Sequence, residues 1–228
     1  MCALPRCGAG WIMLAEYYSN TLYPLQDRVL AAFKGSPFYL TGGTALSRGY
    51  YRHRYSDDLD LFVNDHKEFD RLVYGTIDKL RSRFVPLDVV VNEEGFCRLF
   101  LGDEQLKVEM INDVPAHVGV VIEHHTLGRL DSRENILANK ITALIDRAHP
   151  KDVADLYFLL RDGLTIKQAL IDASGKAAGV NPLLVASVLE EFDYERLAAV
   201  NWIAPIAYVE VRTHLVSIAR AIVNGKES

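Results

Sequence analysis

Asp58 and Asp60 stand one residue apart in a run where Leu59, Leu61 and Val63 alternate with Asp58, Asp60 and Phe62. That alternation reads as a β-strand carrying both carboxylates on one face. Side chains at i and i+2 of a strand lie roughly 6–7 Å apart, close enough to share one or two divalent cations. Phosphoryl and nucleotidyl transfer ask little covalent chemistry of a protein, but they need cations to neutralise a triphosphate and activate the attacking hydroxyl. A third carboxylate on a neighbouring strand would complete such a site, and Glu109 in Lys107-Val108-Glu109-Met110-Ile111 has the alternating position for it. Taken alone, an Asp-x-Asp pair more often marks a turn or a solvated face, and Glu109 can equally salt-bridge Lys107 or Arg98.

The context makes the pair restrictive. Gly42-Gly43 lies upstream between an expected strand and an expected helix. Glycines there let a phosphate approach the backbone while the helix N-terminus offers free N–H donors. Ser56 then opens a Ser-x-Asp-x-Asp strand. Further along, Lys140 sits on a helical stripe with Leu137 and Leu144, and Asp152 and Asp155 share a stripe with Leu156 and Leu159. Charges on inward faces need partners. Either the three form a salt bridge between lobes or they serve a ligand. Arg48, Arg52, His53 and Arg54 put positive charge beside the aspartates, or else form a solvated helix terminus. His124-His125 reads as loop surface and Cys97 as core.

The elements that must position these groups fall into two parts. A helical pattern from about Leu14 to Phe33, interrupted at Pro24, precedes a short strand at 38–40, the glycine turn, a short helix, the aspartate strand, a helix over 66–83 and extended runs at 85–91, 96–101 and 105–111. Gly102-Asp103 reads as a hairpin turn. Beyond Asp131 the sequence is almost wholly helical, with capping-box spacing at Asp131/Glu134 and Thr165/Gln168 and a cap before proline at Asn181-Pro182. The expected fold is α+β: a mixed sheet flanked by helices over residues 1–130, with the N-terminal arm and helix at 1–35 included, then a helical lobe over 131–228. The first dozen residues read as an extension before a helix beginning near Met13.

Composition sets the remaining bounds. Half the residues are hydrophobic and the formal net charge is −5. A proper core is expected, and strong sequence-independent binding to duplex DNA is not, since that requires many phosphates to be neutralised at once. Cys2, Cys7 and Cys97 make no disulfide framework or zinc spacing, and no run approaches the roughly 18–20 apolar residues of a membrane span. A cytoplasmic location is the simplest reading.

Leu40 to Leu46 followed by Arg54 to Phe62 resembles the AbiEii/AbiGii toxin family of nucleotidyltransferases, within the polymerase-beta-like superfamily. Glu134 to Leu144 with Arg147, then Lys151 to Tyr157, is similar to that family's helical-lobe motifs. The resemblance spans residues from about 38 to 160. It implies that Gly42, Gly43 and Ser56 shape a phosphate pocket, that Asp58 and Asp60 bind Mg2+ or Mn2+, and that Lys140 and Asp152 reach in from the second lobe, Lys140 onto a triphosphate oxygen. Two departures stand out: glutamate at 109 where aspartate is common, and lysine at 151 where arginine is usual, which loses bidentate geometry. The implied activity transfers NMP from an NTP to an acceptor such as the 3′ end of tRNA, as the toxin of a toxin–antitoxin or phage-defence system with a cognate antitoxin. Other readings are a nucleotidyltransferase acting on a protein or an aminoglycoside-like small molecule, and a non-catalytic nucleotide-binding module, against which the retention of both aspartates speaks.

Overall fold

A computed structural model describes residues 8–226. Cys2 and the expected arm before residue 8 lie outside the described residues. The helical pattern begins earlier than Met13: α1 (Gly8–Tyr17) continues through a π-helical turn (Tyr18–Leu22) into α2 (Tyr23–Leu30), and Pro24 falls in the first turn of α2, where its missing N–H costs nothing. β1 (Tyr39–Thr41) feeds directly into α3 (Gly42–Thr44), which runs on as a π-helical stretch (Ala45–Tyr51).

The sheet has seven strands in the order β3-β4-β5-β2-β1-β7-β6. β2 (Leu59–Asn64) is central, antiparallel to β1 on one side and parallel to β5 (Leu106–Asp113) on the other. β3 (Leu87–Glu93) and β4 (Phe96–Leu101) extend the sheet through antiparallel pairs to one edge. The short β6 (Ile122–His124) and β7 (Gly128–Leu130) extend it at the other, with β7 parallel to β1. Those two strands are an addition to the expected set, because three residues carry too little alternation to register as a period.

Alternation becomes packing at once. Leu59, Leu61 and Val63 of β2 point into the core with Leu99, Leu101, Val108 and Met110, all at most 3% exposed. α4 (Phe69–Arg81) covers that face with Val73, Ile77 and Leu80. Each such side chain contributes about 1.5–3 kcal/mol, so this face fixes the register of β2. The other face of β2 carries Asp60.

After β7 come only helices: α5 (Arg133–Arg147), α6 (Pro150–Arg161), α7 (Ile166–Lys176), α8 (Pro182–Glu191) and α9 (Tyr208–Val223), with a 3-10 turn (Tyr194–Ala199) before α9. Thr165 caps α7 and Asn181 caps α8 as their spacing predicts. At α5 the cap moves by one: Ser132, not Asp131, accepts the Asn135 N–H. Asp131 is instead fully buried and takes hydrogen bonds from the Thr41 hydroxyl at 2.5 Å and the Asn135 amide, with His117 Nε2 2.9 Å away. It ties the end of β1 to the start of α5. The helical part also returns to the segment just before β2 through backbone bonds, Tyr55 N–H to Asn201 carbonyl and Ile203 N–H to His53 carbonyl. Among the described residues no helix is long and apolar enough to cross a membrane.

Candidate active site

Strand register assembles the acids. Parallel pairing sets Asp60 beside Glu109, and because Lys107 is two residues before Glu109 it faces the same side as Asp58, which lies just ahead of β2. Lys107 Nζ is 3.0 Å from Asp58 Oδ2 and 3.7 Å from Glu109 Oε1, and Arg98 of β4 holds Glu109 at 2.6 Å. Among the described residues Asp60 has no such cation in contact. Burial first, then the Glu109 charge, push its carboxyl up to about 6, with Lys107 and Lys140 pulling the other way. The face is therefore short of positive charge at one carboxylate. Among the described residues no three acidic, histidine or cysteine side chains converge as a closed metal cage. Magnesium rarely uses such a cage; one or two carboxylates plus phosphate oxygens and water suffice. The oxygen donors of Asp58 and Asp60 fit that pattern.

The glycine turn closes on these acids. Gly42 has φ +68°, a left-handed conformation that penalises any side chain, and a Cβ there would collide with Asp60 Oδ2. A Cβ on Gly43 would collide with the Arg54 guanidinium and meet Ser56 Oγ at 3.1 Å. Thr44 clamps the arrangement by donating to the Asp58 carbonyl, with Ser56 Oγ 2.9 Å away. Gly42, Gly43, Ser56 and Asp60 thus meet at one spot.

From the other side come α5 and α6. Lys140 Nζ lies 2.6 Å from Asp152 and 2.7 Å from Asp155, and Arg147 reaches Asp152 at 2.8 Å. The expected salt bridge among Lys140, Asp152 and Asp155 exists, but it joins two adjacent helices of the helical part. A buried ionic link between the two parts is made by residues not assigned that role from sequence. Arg54 donates to both oxygens of Asp155 at 2.7 and 2.8 Å, and His53 Nε2 lies 2.8 Å from the same carboxylate. All three side chains are almost wholly buried. Burial opposes the charge on Asp155, yet Arg54 and then Lys140 hold its carboxyl well below the usual range. Burial outweighs Asp155 at His53 and lowers its basicity, so the imidazole is neutral. Asp152 is held low by Lys140 and Arg147 against its own desolvation.

The reading of residues 48–54 as a solvated helix terminus therefore fails at His53 and Arg54, and holds at exposed Arg52. A signal was present: Arg54, Ser56, Asp58 and Asp60 share parity, so an extended chain would aim them together. Lys151 is placed away from the acids on β2 and pairs with Asp57 at 3.0 Å.

A mixed sheet with the acids on its central strand, a glycine turn against them and a lysine-bearing helix opposite defines a nucleotidyltransferase. The chain belongs to the nucleotidyl transferase AbiEii toxin family of type IV toxin–antitoxin systems, whose signature matches residues 25–209. Among solved structures it is similar to JHP933 from Helicobacter pylori (20% identity, TM-score 0.59, 92% of this chain and 93% of that one). It is also similar to MenT4, a nucleotidyltransferase toxin from Mycobacterium tuberculosis (16%, 0.66, 89% and 83%). A third likeness is to the antibiotic-resistance factor ANT(2'')-Ia (15%, 0.51, 69% and 91%). At these identities the likenesses speak to fold. No curated protein matches the chain significantly.

Proposed function

We propose that this nucleotidyltransferase transfers NMP from an NTP to the 3′ end of tRNA, with Mg2+ or Mn2+ held by Asp58 and Asp60, and that it acts as a growth-restraining toxin countered by a cognate antitoxin in the cytoplasm. The observation that carries the catalytic half is the contact between Gly42 and Asp60, where a methyl group has no room and a carboxylate lacks a cation. A bound divalent cation would supply charge neutralisation of the triphosphate and a more acidic acceptor hydroxyl.

The chain's own residues do the rest. The Gly42-Gly43 turn lets phosphate oxygens approach the backbone, with Ser56 as a further donor. Lys140, buried and charged against two aspartates, neutralises a triphosphate oxygen from the side of α5. Asp152 holds Lys140 and Arg147 in place beside Asp60, whose charge Arg147 also feels. Glu109, held by Arg98, sits beside the pair as a reserve oxygen ligand and sets the charge around Asp60.

The test is incubation of purified protein with each labelled triphosphate, Mg2+ and total tRNA, beside Asp58→Ala and Asp60→Ala. Label on tRNA that disappears in both variants supports the reading. Transfer that survives both substitutions sinks the site, and transfer to protein or small molecules with tRNA unlabelled sinks the acceptor.

A further inference from the structure

Behind the segment that carries Arg54 and Ser56 lies a cavity of about 840 Å³ whose lining includes Ser47, Arg48, Arg52, Tyr55, His124 and His125. Arg54 and Ser56 turn toward Gly43, whereas the intervening Tyr55 lines this cavity and stacks on Tyr18 at 4.2 Å. It is thus a different space from the carboxylate site. Its chemistry differs too. Among the described residues no aspartate or glutamate lines it, in a chain whose formal net charge is −5.

The groups that do line it suit a phosphate with a ring attached. Arg52 is exposed and has no carboxylate partner among the described residues. Arg48 is a fixed guanidinium, pinned to Asp27 at 2.6 Å and laid over the Tyr23 ring at 4.4 Å. His124 and His125 stack on each other at 4.5 Å and complete an aromatic wall with Tyr55. Ser47, only 2% exposed, and Tyr23 line the same wall.

We propose that this cavity is a second nucleotide site, taking nucleotide units of an unpaired RNA stretch with a phosphate against Arg52 and Arg48 and bases against Tyr55 and the histidine pair. Aromatic platforms with arginine are how proteins hold single-stranded RNA without reading its sequence. The volume is ample for a nucleotide unit. The assignment rests on the proposed RNA acceptor, a strand of which this cavity would hold apart from the carboxylate site.

The test separates the two readings by using protein with Asp60→Asn, which is expected to lose transfer but keep this cavity. Fluorescence anisotropy is measured with a labelled single-stranded RNA and with a blunt hairpin of the same composition. The single strand should bind in a salt-dependent way and the hairpin weakly. Adding Arg52→Glu or, on a separate element, His125→Ala should weaken single-strand binding by about tenfold or more, in line with losing one phosphate or stacking contact. Unchanged thermal unfolding certifies that each variant is folded. Displacement of the strand by excess ATP would identify a free nucleotide as the natural occupant, and its persistence would identify the strand. Single-strand binding equal in all proteins, or absent from the parent, overturns the site even if tRNA labelling succeeds.

Discussion

Asp60→Asn should stabilise the metal-free protein while abolishing transfer. The folded carboxyl of Asp60 is raised from 3.8 to about 6. At neutral pH the folded protein therefore carries an ionised group it would rather protonate, at a cost of up to about 3 kcal/mol, from 1.4 kcal/mol per unit. Partial access to water lowers that to roughly 1–2 kcal/mol. The sign follows from linkage: the folded state binds this proton more tightly than the unfolded chain, so the cost is absent below pH 3.8, grows between 3.8 and about 6, and is complete above that. Asparagine never ionises. For a chain of this size the variant should melt about 2–6 °C higher at pH 7.5 in EDTA, and the gap should close toward pH 4. Added Mg2+ should raise the melting temperature of the parent and leave the variant unmoved. Differential scanning calorimetry across that pH range is the assay. A variant that melts lower than its parent in EDTA, or a gap independent of pH, would refute the charge argument.

Asp155→Asn should destabilise by about 3–5 kcal/mol in urea titration, because it leaves Arg54 and Lys140 buried with half their counter-charge gone. In the parent, the depressed carboxyls of Asp152 and Asp155 give stability that is present above the unfolded value of 3.8 and lost as pH falls below it, so acid unfolding followed by circular dichroism should be steeper than in that variant. Gly42→Ala should lose about 1–3 kcal/mol from backbone strain alone and lose transfer besides, since the added carbon displaces the Asp60 carboxylate; full activity would mean the turn does not seat a phosphate. Gly43→Ala should move Arg54 and be read as weaker triphosphate binding by calorimetry.

Long periodic segments were legible from sequence, as was the short β1 leading into the glycine turn, whereas the two other short strands were not. β2 and α4 repeat their periods enough times to announce themselves, whereas β6 and β7 are three residues each and are defined by what they pair with. Asp131 shows how local rules mislead: its spacing to Glu134 is that of a cap, but Thr41, distant in sequence, offers the carboxylate a better partner and Ser132 takes the capping role. The glycine turn and aspartate pair could be named in advance because their chemistry demands particular residue types. Arg54 and His53 were hidden because their partner Asp155 is supplied by tertiary structure, a hundred residues further along the chain. Glu109 was legible both as a neighbour of Asp60 and as a salt-bridge partner of Arg98 or Lys107, and the structure has it beside all three.

The bidentate grip of Arg54 on Asp155 has a consequence for the chain as a unit of inheritance. Separated, the sheet-bearing half would lose the carboxylate that answers Arg54, and the helical half would leave Asp155 without its two-pronged partner. Neither half could be exchanged for a counterpart from another protein without swapping both ends of that bond together. Recombination that shuffles the two halves is thereby filtered at the level of folding, before catalysis is ever tried.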